Sequence, residues 1–168
     1  MKAALFLALF LGIVGVPQVP ANEDPFELSD EMKRFLDAKI DRSEIPLEQL
    51  NQLARIIFQD NALNFTYQPV TRGAIETFNN RGGNCVSFTF LFIAMARYLG
   101  LDARFHEVDV PPLFNQVGKL ISVSGHTNAV VYIGPQVYLI DLFPSVNRID
   151  IGSRVVPDAR AYGQVRHR

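Results

Sequence analysis

The sequence predicts an α+β domain in which several helices come first and a small antiparallel sheet follows. In roughly the first hundred residues, apolar side chains recur at the spacing of one face of a helix. From about Ala103 onwards they alternate with a period of two, which is the pattern of half-buried strands. Helices and strands are thus segregated along the chain, and this order is typical of α+β domains. The 168 residues suffice for one such domain.

The first 21 residues have the pattern of a secretory signal peptide. Lys2 supplies the positive start, an apolar run extends from Ala3 to Val16, and Val19-Pro20-Ala21 offers small residues for cleavage. The run is shorter than the roughly 20 residues that span a bilayer, so we expect no membrane span after cleavage; an uncleaved anchor is the alternative. The sequence therefore predicts an exported protein, periplasmic or extracellular. Its domain is expected over residues 22–150, with an edge strand or tail over 151–168.

Apolar stripes and capping residues predict three helices before the centre of the chain. Ser29 is a suitable N-cap for the first helix, and Pro46 suits the first turn of the second. The apolar stripe of the second helix is expected to pack in the core. The three predicted helices cover residues 30–39, 46–59 and 73–79.

A fourth helix is predicted over Val86–Leu99, where apolar side chains point in nearly all directions. A helix of this kind belongs in the centre of a domain. Gly100 suits the position just after its C-terminus. The segment Asn79-Asn80-Arg81-Gly82-Gly83-Asn84, which precedes the helix, has the composition of a loop.

Strands are predicted at residues 103–108, 126–133 and 136–142. Gly134-Pro135 separates the last two and favours a hairpin. Pro111-Pro112 is expected to break the first strand, which leaves residues 113–124 as an irregular connection. An edge strand and a loose tail are expected over residues 148–168.

Charge and composition exclude some classes of function. The net charge is −1, from 16 basic and 17 acidic residues, so the one-sided basic excess of a nucleic-acid-binding protein is missing. Cysteine-rich or histidine-rich ligand clusters are also missing, and we predict neither a metal nor a cofactor. With one cysteine the chain cannot form an internal disulfide. Cys85 is therefore either a buried bystander or a thiol kept for its chemistry.

Cys85 stands where the predicted buried helix begins, directly after Gly82-Gly83-Asn84. Backbone N–H groups and the positive end of the helix dipole meet there, and both favour the thiolate. The glycines allow a sharp turn and leave room for a substrate carbonyl. We therefore predict Cys85 as a nucleophile, with Gly83 and Asn84 beside it as residues that position the substrate or stabilise an oxyanion.

A base and its orienting group are predicted on the hairpin. With the turn at Gly134-Pro135, the register sets Asn128 opposite Asp141, and His126 shares their face. His126 and Asp141 are then diagonal neighbours, roughly 7 Å apart, within reach of a carboxylate–imidazole hydrogen bond. Asp141 also lies in an apolar run, where a charge needs a partner.

A structural interpretation of these residues is the alternative. Asp141 then merely ends a strand, and His126 is a polar residue beside a loop. In that case His106, with Glu107 next to it on a predicted strand, becomes the pair to examine.

Together these residues resemble the core of the transglutaminase-like superfamily. The resemblance rests on Arg81-Gly82-Gly83-Asn84-Cys85, on the helix exit Leu99-Gly100-Leu101-Asp102-Ala103-Arg104, on His126-Thr127-Asn128, and on the spacing to Asp141. It covers about residues 60–145. It implies a papain- and transglutaminase-like core, in which the Cys-bearing helix packs on a small antiparallel sheet. It also implies Cys85 as nucleophile, His126 as general base and acid, and Asp141 as the orienting group, with Asn128 among the substrate-positioning residues.

Two differences narrow the expected activity. Animal transglutaminases use a tryptophan near the oxyanion site, and this sequence contains none. It also contains no counterpart of their calcium-binding and flanking domains. Hydrolysis of an amide is therefore expected at least as much as cross-linking. Arg81-Gly82-Gly83-x-Cys85 also resembles arylamine N-acetyltransferases, but Pro144-Ser145 stands where those enzymes have a glycine-rich run.

The sequence therefore predicts cysteine-dependent acyl transfer or amide hydrolysis on an envelope protein or peptide. One alternative is a non-catalytic module that uses the same fold to bind an envelope partner. Another is an acyltransferase of the arylamine N-acetyltransferase kind. Nothing in the sequence predicts the acyl acceptor or the oligomeric state.

Overall fold

The computed structural model describes residues 24–58, 63–117, 120–141 and 154–155; for 108–117, 120–126 and 154–155 it describes the backbone alone. The predicted signal peptide lies outside the described residues, as does most of the chain after Asp141. In the described ranges, no helix has both the length and the apolar character needed to cross a membrane.

The described residues form four helices before the main sheet: α1 (Asp30–Lys39), α2 (Pro46–Phe58), α3 (Ala74–Asn80) and α4 (Cys85–Tyr98). The predicted N-cap of α1 is confirmed, since the Ser29 hydroxyl accepts the Met32 N–H at 3.2 Å. All four helices lie within two residues of their predicted ends. This agreement reflects strong local signals, namely capping residues and apolar stripes.

Helix α4 is the centre of the domain, as its sequence predicts. Every residue from Val86 to Ala96 is buried. Around α4 the core draws on all three other helices and on the sheet, with Met32, Leu36, Leu50, Leu53, Phe78, Phe105 and Val131 among its members. Because α4 has partners on every side, it needs no polar face.

After α4 the chain forms the main sheet, which is antiparallel. Its strands are β3 (Asp102–Val117), β4 (Leu120–Ile133), β5 (Gln136–Ile140) and β6 (Arg154–Val155). Their order across the sheet is β5-β4-β3-β6. The α+β class and the small antiparallel sheet are therefore as predicted.

The pairing of β3 with β4 is interrupted at Pro111-Pro112, as predicted, but the expected irregular connection over residues 113–124 is wrong. Strand β3 continues through the prolines and pairs with β4 as far as Val117↔Leu120. The register shifts between Val108↔His126 and Leu113↔Ser124, so both prolines lie in a bulge. A bulge needs no ladder hydrogen bond from a proline nitrogen, which is why the strand tolerates them.

The predicted loop before Cys85 is also partly wrong. Asn79 and Asn80 end α3, and Gly82–Gly83 form a short strand, β2, which pairs in parallel with β1 (Thr66–Tyr67). The Thr66 N–H donates to the Arg81 carbonyl at 2.9 Å. This pairing joins segments that are distant in sequence, and local turn chemistry does not reveal it.

Candidate active site

The first turn of α4 is fixed by the side chain of Asn84, which is its N-cap. Asn84 is extended (φ −91°, ψ −174°), and its Oδ1 accepts the Ser87 N–H at 3.0 Å. Its Nδ2 donates to the Thr71 hydroxyl at 2.8 Å. The side chain is 3% exposed, so the structure uses it to hold the helix start. The predicted role of Asn84 toward a substrate stays a prediction.

Ser87 ties the same turn to the segment before α3, and the sequence interpretation missed it. Its hydroxyl oxygen lies 3.1 Å from both the Val70 carbonyl and Asn84 Oδ1, and it accepts the Arg72 N–H at 2.8 Å. Ser87 is fully buried. The signal was available, because a serine among apolar residues of a buried helix must find hydrogen-bond partners.

Gly83 lies in a space that no side chain could fill. A Cβ added there would lie 2.4 Å from the Cβ of Ser87. The Gly83 carbonyl accepts the Gln68 N–H at 3.0 Å, and the Asn84 N–H donates to the Val70 carbonyl at 3.2 Å. The backbone just before Cys85 is therefore held from two sides.

Cys85 is the first residue of α4 and is partly exposed, although it also packs against the core. A helix offers no intrahelical acceptor to the N–H groups of its first residues, here Cys85 and Val86. Those donors and the positive end of the helix dipole favour a negative charge at this position. The arrangement suits a reactive thiolate.

Two contacts show in which direction α4 runs relative to strand β3. Near its C-terminal end, Arg97 Nε donates to the Ala103 carbonyl at 2.9 Å. Further toward its N-terminal end, the rings of Phe90 and Phe105 lie 5.6 Å apart. Moving toward the start of α4 thus corresponds to moving along β3 toward Glu107.

The position of Cys85 along the sheet follows from the rise per residue of the helix and of the strand. Cys85 precedes Phe90 by five residues, about 7.5 Å along a helix axis. Glu107 follows Phe105 by two residues, about 6.6 Å along a strand. With the helix and the strand taken as running side by side, these spacings put the start of α4 near the Glu107↔Thr127 pair, one pair before the register shift.

The predicted hairpin register is confirmed. Ile133 pairs with Gln136, and the ladder continues without a shift to Ala129↔Ile140. One further step of this register sets Asn128 opposite Asp141. Asn128 is 1% and Asp141 9% exposed, so both polar side chains are buried.

His106, on the neighbouring strand β3, lies beside Asn128. His106 pairs with Asn128, and its Nδ1 lies 2.5 Å from Asn128 Oδ1. With the amide oxygen as acceptor, Nδ1 carries the proton. His106 is buried as well. Adjacent strand residues point to opposite faces, so Glu107 extends to the other side of the sheet; the structure gives His106 the partner Asn128, and the alternative role of His106 and Glu107 stays a prediction.

His126 is described through its backbone alone, and its side chain lies outside the described part of the structure. The backbone pairs with Val108 in the last step before the β3–β4 bulge. His126 is thus two residues from Asn128, in the middle of β4 and one pair beyond Glu107↔Thr127. The distances from its imidazole to Cys85 and Asp141 stay predictions.

Among the described residues, no group of three or more His, Cys, Asp or Glu side chains could hold a metal ion. The prediction of a metal-free site stays a prediction for the whole chain.

Comparisons with known proteins give two matches. A family model described as the transglutaminase-like superfamily matches residues 34–139. A solved structure from Parabacteroides distasonis ATCC 8503, described as a candidate protease, aligns with a TM-score of 0.49 and 16% identity. The alignment covers 68% of this chain and 23% of that one, so this chain spans less than a quarter of that protein. No curated protein matches the chain.

Proposed function

The chain belongs to the transglutaminase-like superfamily, and from this premise we propose that it is a cysteine-dependent acyl-transfer enzyme. Cys85 is the nucleophile, His126 the general base and acid, and Asp141 the group that orients the imidazole. The superfamily includes cysteine-dependent proteases and acyltransferases, so the proposed reaction is of a type that occurs in this superfamily.

The observation that carries the proposal is the construction around Cys85. The chain's one cysteine is the first residue of its most buried helix, and it stays partly exposed. Asn84 and Gly83 hold the backbone before it through buried hydrogen bonds and close packing. A bystander cysteine has no need of such a rigid, solvent-accessible start to a helix, whereas a nucleophile does.

The buried carboxyl of Asp141 supports the second half of the proposal. A carboxylate that is 9% exposed needs hydrogen-bond or charge partners. The observed ladder ends at Ala129↔Ile140, and its extension by one step would set Asp141 opposite Asn128 and diagonal to His126. An imidazolium at His126 is the partner that the proposal assigns to it.

The proposal also requires the His126 side chain to reach Cys85 at the interruption of the β3–β4 ladder, because regular alternation would direct it to the face opposite α4. Asn128 pairs with His106 on the face opposite Phe105, and Phe105 is the residue that packs on α4. The register shifts directly after the Val108↔His126 pair, and the proposal uses this irregularity to direct His126 toward Cys85. Bulges commonly re-aim side chains beside active sites.

The reaction proceeds in two steps. The Cys85 thiolate attacks an amide carbonyl carbon, the oxyanion is stabilised by the N–H at the start of α4, and the C–N bond breaks as His126 protonates the leaving nitrogen. His126 then takes a proton from water or an amine, which attacks the thioester. The C–S bond breaks and the thiolate is regenerated.

The proposed substrate is a protein or peptide of the cell envelope, since the signal-peptide pattern of residues 1–21 predicts export. Mass spectrometry of the protein from its native cells tests the location. We expect a mature chain that begins at Asn22 in the periplasmic or extracellular fraction. An intact Met1 in the cytoplasmic fraction contradicts the proposed location and leaves the chemistry untouched.

Alkylation by iodoacetamide tests the nucleophile, and the single cysteine makes the reaction specific to Cys85. The rate is followed against pH for the wild type and His126→Ala. We expect a wild-type thiol pKa below the ordinary value of about 8.5, and a rise in that pKa when the imidazole is removed. A pKa near 8.5 that the substitution does not change contradicts the thiolate–imidazolium pair.

A further inference from the structure

Among the described residues, the buried hydroxyl group of Thr127 has no hydrogen-bond partner. The residue is 7% exposed, and in the part of the chain that the structure describes its Oγ1 is buried without a hydrogen-bond partner. Two other buried threonines behave differently. The Thr77 hydroxyl donates to the Gly73 carbonyl at 2.8 Å, and that of Thr89 donates to the Cys85 carbonyl at 2.8 Å. A buried unpaired hydroxyl costs stability, so a site that keeps one invites a functional explanation.

Thr127 faces the same side of the sheet as the residues that pack on α4. It pairs with Glu107, one alternation along from the Phe105↔Ala129 pair. Phe105 contacts Phe90 of α4, and Ala129 belongs to the same core cluster. Because side chains two apart on a strand share a face, the Thr127 hydroxyl is directed toward α4.

Thr127 is also at the height of the first turn of α4. The contacts of Arg97 with Ala103 and of Phe90 with Phe105, extended by the rise of a helix and of a strand, put the start of α4 near the Glu107↔Thr127 pair. We infer from this spacing that the Thr127 hydroxyl lies near the N-terminus of the helix. A backbone N–H at this place provides one oxyanion donor, and two donors are the usual complement of an oxyanion hole.

We propose that the Thr127 hydroxyl is the second oxyanion donor of the active site. The inference rests on the proposed function, because it needs Cys85 as the nucleophile. When Cys85 Sγ bonds to the carbonyl carbon, the π electrons of the C=O bond move to oxygen, and the Thr127 O–H donates to that oxygen. The C=O bond re-forms as the leaving group departs with its electrons. Thr127 keeps its proton throughout.

Two reactions of the same thiol separate this role from a structural one. Acylation by p-nitrophenyl acetate passes through a tetrahedral oxyanion, whereas alkylation by iodoacetamide does not. The ratio of the acylation rate to the alkylation rate therefore reports on oxyanion stabilisation and cancels changes in thiolate fraction. We compare wild type with Thr127→Val, which removes the hydroxyl and keeps the shape, and with Thr127→Ser, which keeps the hydroxyl.

We expect Thr127→Val to lower the ratio about 100- to 1,000-fold, the effect of losing one oxyanion donor. Thr127→Ser should restore most of it. Because the lost hydroxyl has no hydrogen-bond partner in the ranges that the structure describes, the valine variant should melt no lower than wild type. Thr77→Val is the matched control: it removes a paired hydroxyl, so it should melt lower with the ratio unchanged.

An unchanged ratio in Thr127→Val overturns the inference and leaves the proposed function standing. So does a ratio that falls equally in the valine and serine variants. If the valine variant does not fold, Thr127→Ala provides the same comparison. A wild-type protein that is alkylated but never acylated overturns the proposed function and Thr127 with it.

Discussion

The two ends of helix α4 are built in opposite ways. At the N-terminal end, Asn84 and Ser87 are buried and tie the first turn to the segment around Val70. Their polar atoms are used within the protein, and one partly exposed thiol stands at the surface of this construction. The backbone geometry at Cys85 is fixed by groups that water does not reach.

The C-terminal end of α4 borders a surface cleft of about 590 Å³, lined by Asp37, Ile40, Asp41, Arg42 and Tyr98. Here the polar groups interact with one another. The Tyr98 hydroxyl donates to Asp37 at 2.8 Å, and Arg42 lies over the Tyr98 ring, 4.7 Å from its centroid. Arg42 also donates to the Tyr98 carbonyl at 2.9 Å, so a cation caps the negative end of the helix.

The comparison teaches that the size of a cleft does not identify a site. The cleft at Tyr98 is roomy, but its charges are half exposed and already paired, with Arg42 and Asp37 at 3.4 Å. Exposed pairs of this kind contribute little to stability. The N-terminal end instead concentrates rigid backbone, the helix dipole and one nucleophilic side chain. Three substitutions test this difference, in order of decreasing effect.

Asp141→Asn is expected to have the largest effect. If Asp141 orients His126 and stabilises its charged form, the variant should fold and acylate two to four orders of magnitude more slowly, the scale seen when a triad carboxylate is neutralised. Acylation by p-nitrophenyl acetate measures the loss, and circular dichroism and thermal melts check the fold.

Asp37→Asn is the matched control for that loss, because it neutralises a carboxylate at the other end of α4. Its acylation rate should equal that of wild type. A folded Asp141→Asn variant that acylates at the wild-type rate removes Asp141 from the mechanism. Asn128 and His106, which the structure joins at 2.5 Å, then become the residues to examine.

Gly83→Ala is expected to have an intermediate effect. Its Cβ would lie 2.4 Å from the Cβ of Ser87, so the first turn of α4 must shift. Overpacking of this kind costs about 1–3 kcal/mol, and displacement of a nucleophile by about 1 Å costs on the order of 100-fold in rate. Thermal melts and acylation rates measure the two losses.

Gly73→Ala controls for the loss of a glycine as such. Gly73 has φ −67°, and a Cβ there would meet nothing closer than Pro25 at 3.4 Å, an ordinary contact. Gly73 is the N-cap of α3, where alanine is less favourable than glycine, so this variant should melt somewhat lower but react like wild type. Equal losses in the two variants would mean that the close packing at Gly83 has no special role at Cys85.

The sequence predicts those features that local chemistry determines. Ser29 and Pro46 mark helix starts, the all-round apolar run marks α4 as central, and Gly134-Pro135 gives the hairpin register. The helix start at Cys85 follows from the glycines and asparagine before it. Each of these depends on a few neighbouring residues, so a single sequence suffices.

What the sequence does not predict depends on contacts between distant segments. The pairing of Thr66–Tyr67 with Gly82–Gly83 involves two residues on each side and leaves no periodic pattern. Two adjacent prolines predict the interruption of the ladder, but they do not predict that β3 continues beyond it and pairs with β4 again from Leu113 to Val117. The His106–Asn128 contact needs the β3–β4 register, which no short-range signal fixes.

Tyr98→Phe is expected to have the smallest effect, and it completes the comparison from the other end of α4. The hydrogen bond to Asp37 raises the pKa of the Tyr98 hydroxyl above its ordinary value, with burial and the charge of Asp37 adding to the shift. A raised pKa means that the folded state favours the protonated phenol. The bond therefore adds stability fully below the unfolded pKa of about 10, and this contribution is lost as the pH rises through the folded pKa.

We expect the thermal stabilities of wild type and Tyr98→Phe to converge over that alkaline range. A comparison of tyrosinate absorbance should show that the tyrosine missing from the variant is one that ionises at a raised pH. Acylation at neutral pH should not change, because the ring, its contact with Arg42 and the helix remain. A clear fall in the acylation rate of Tyr98→Phe would mean that the two ends of α4 are coupled, and the cleft would then have to be counted as part of the site.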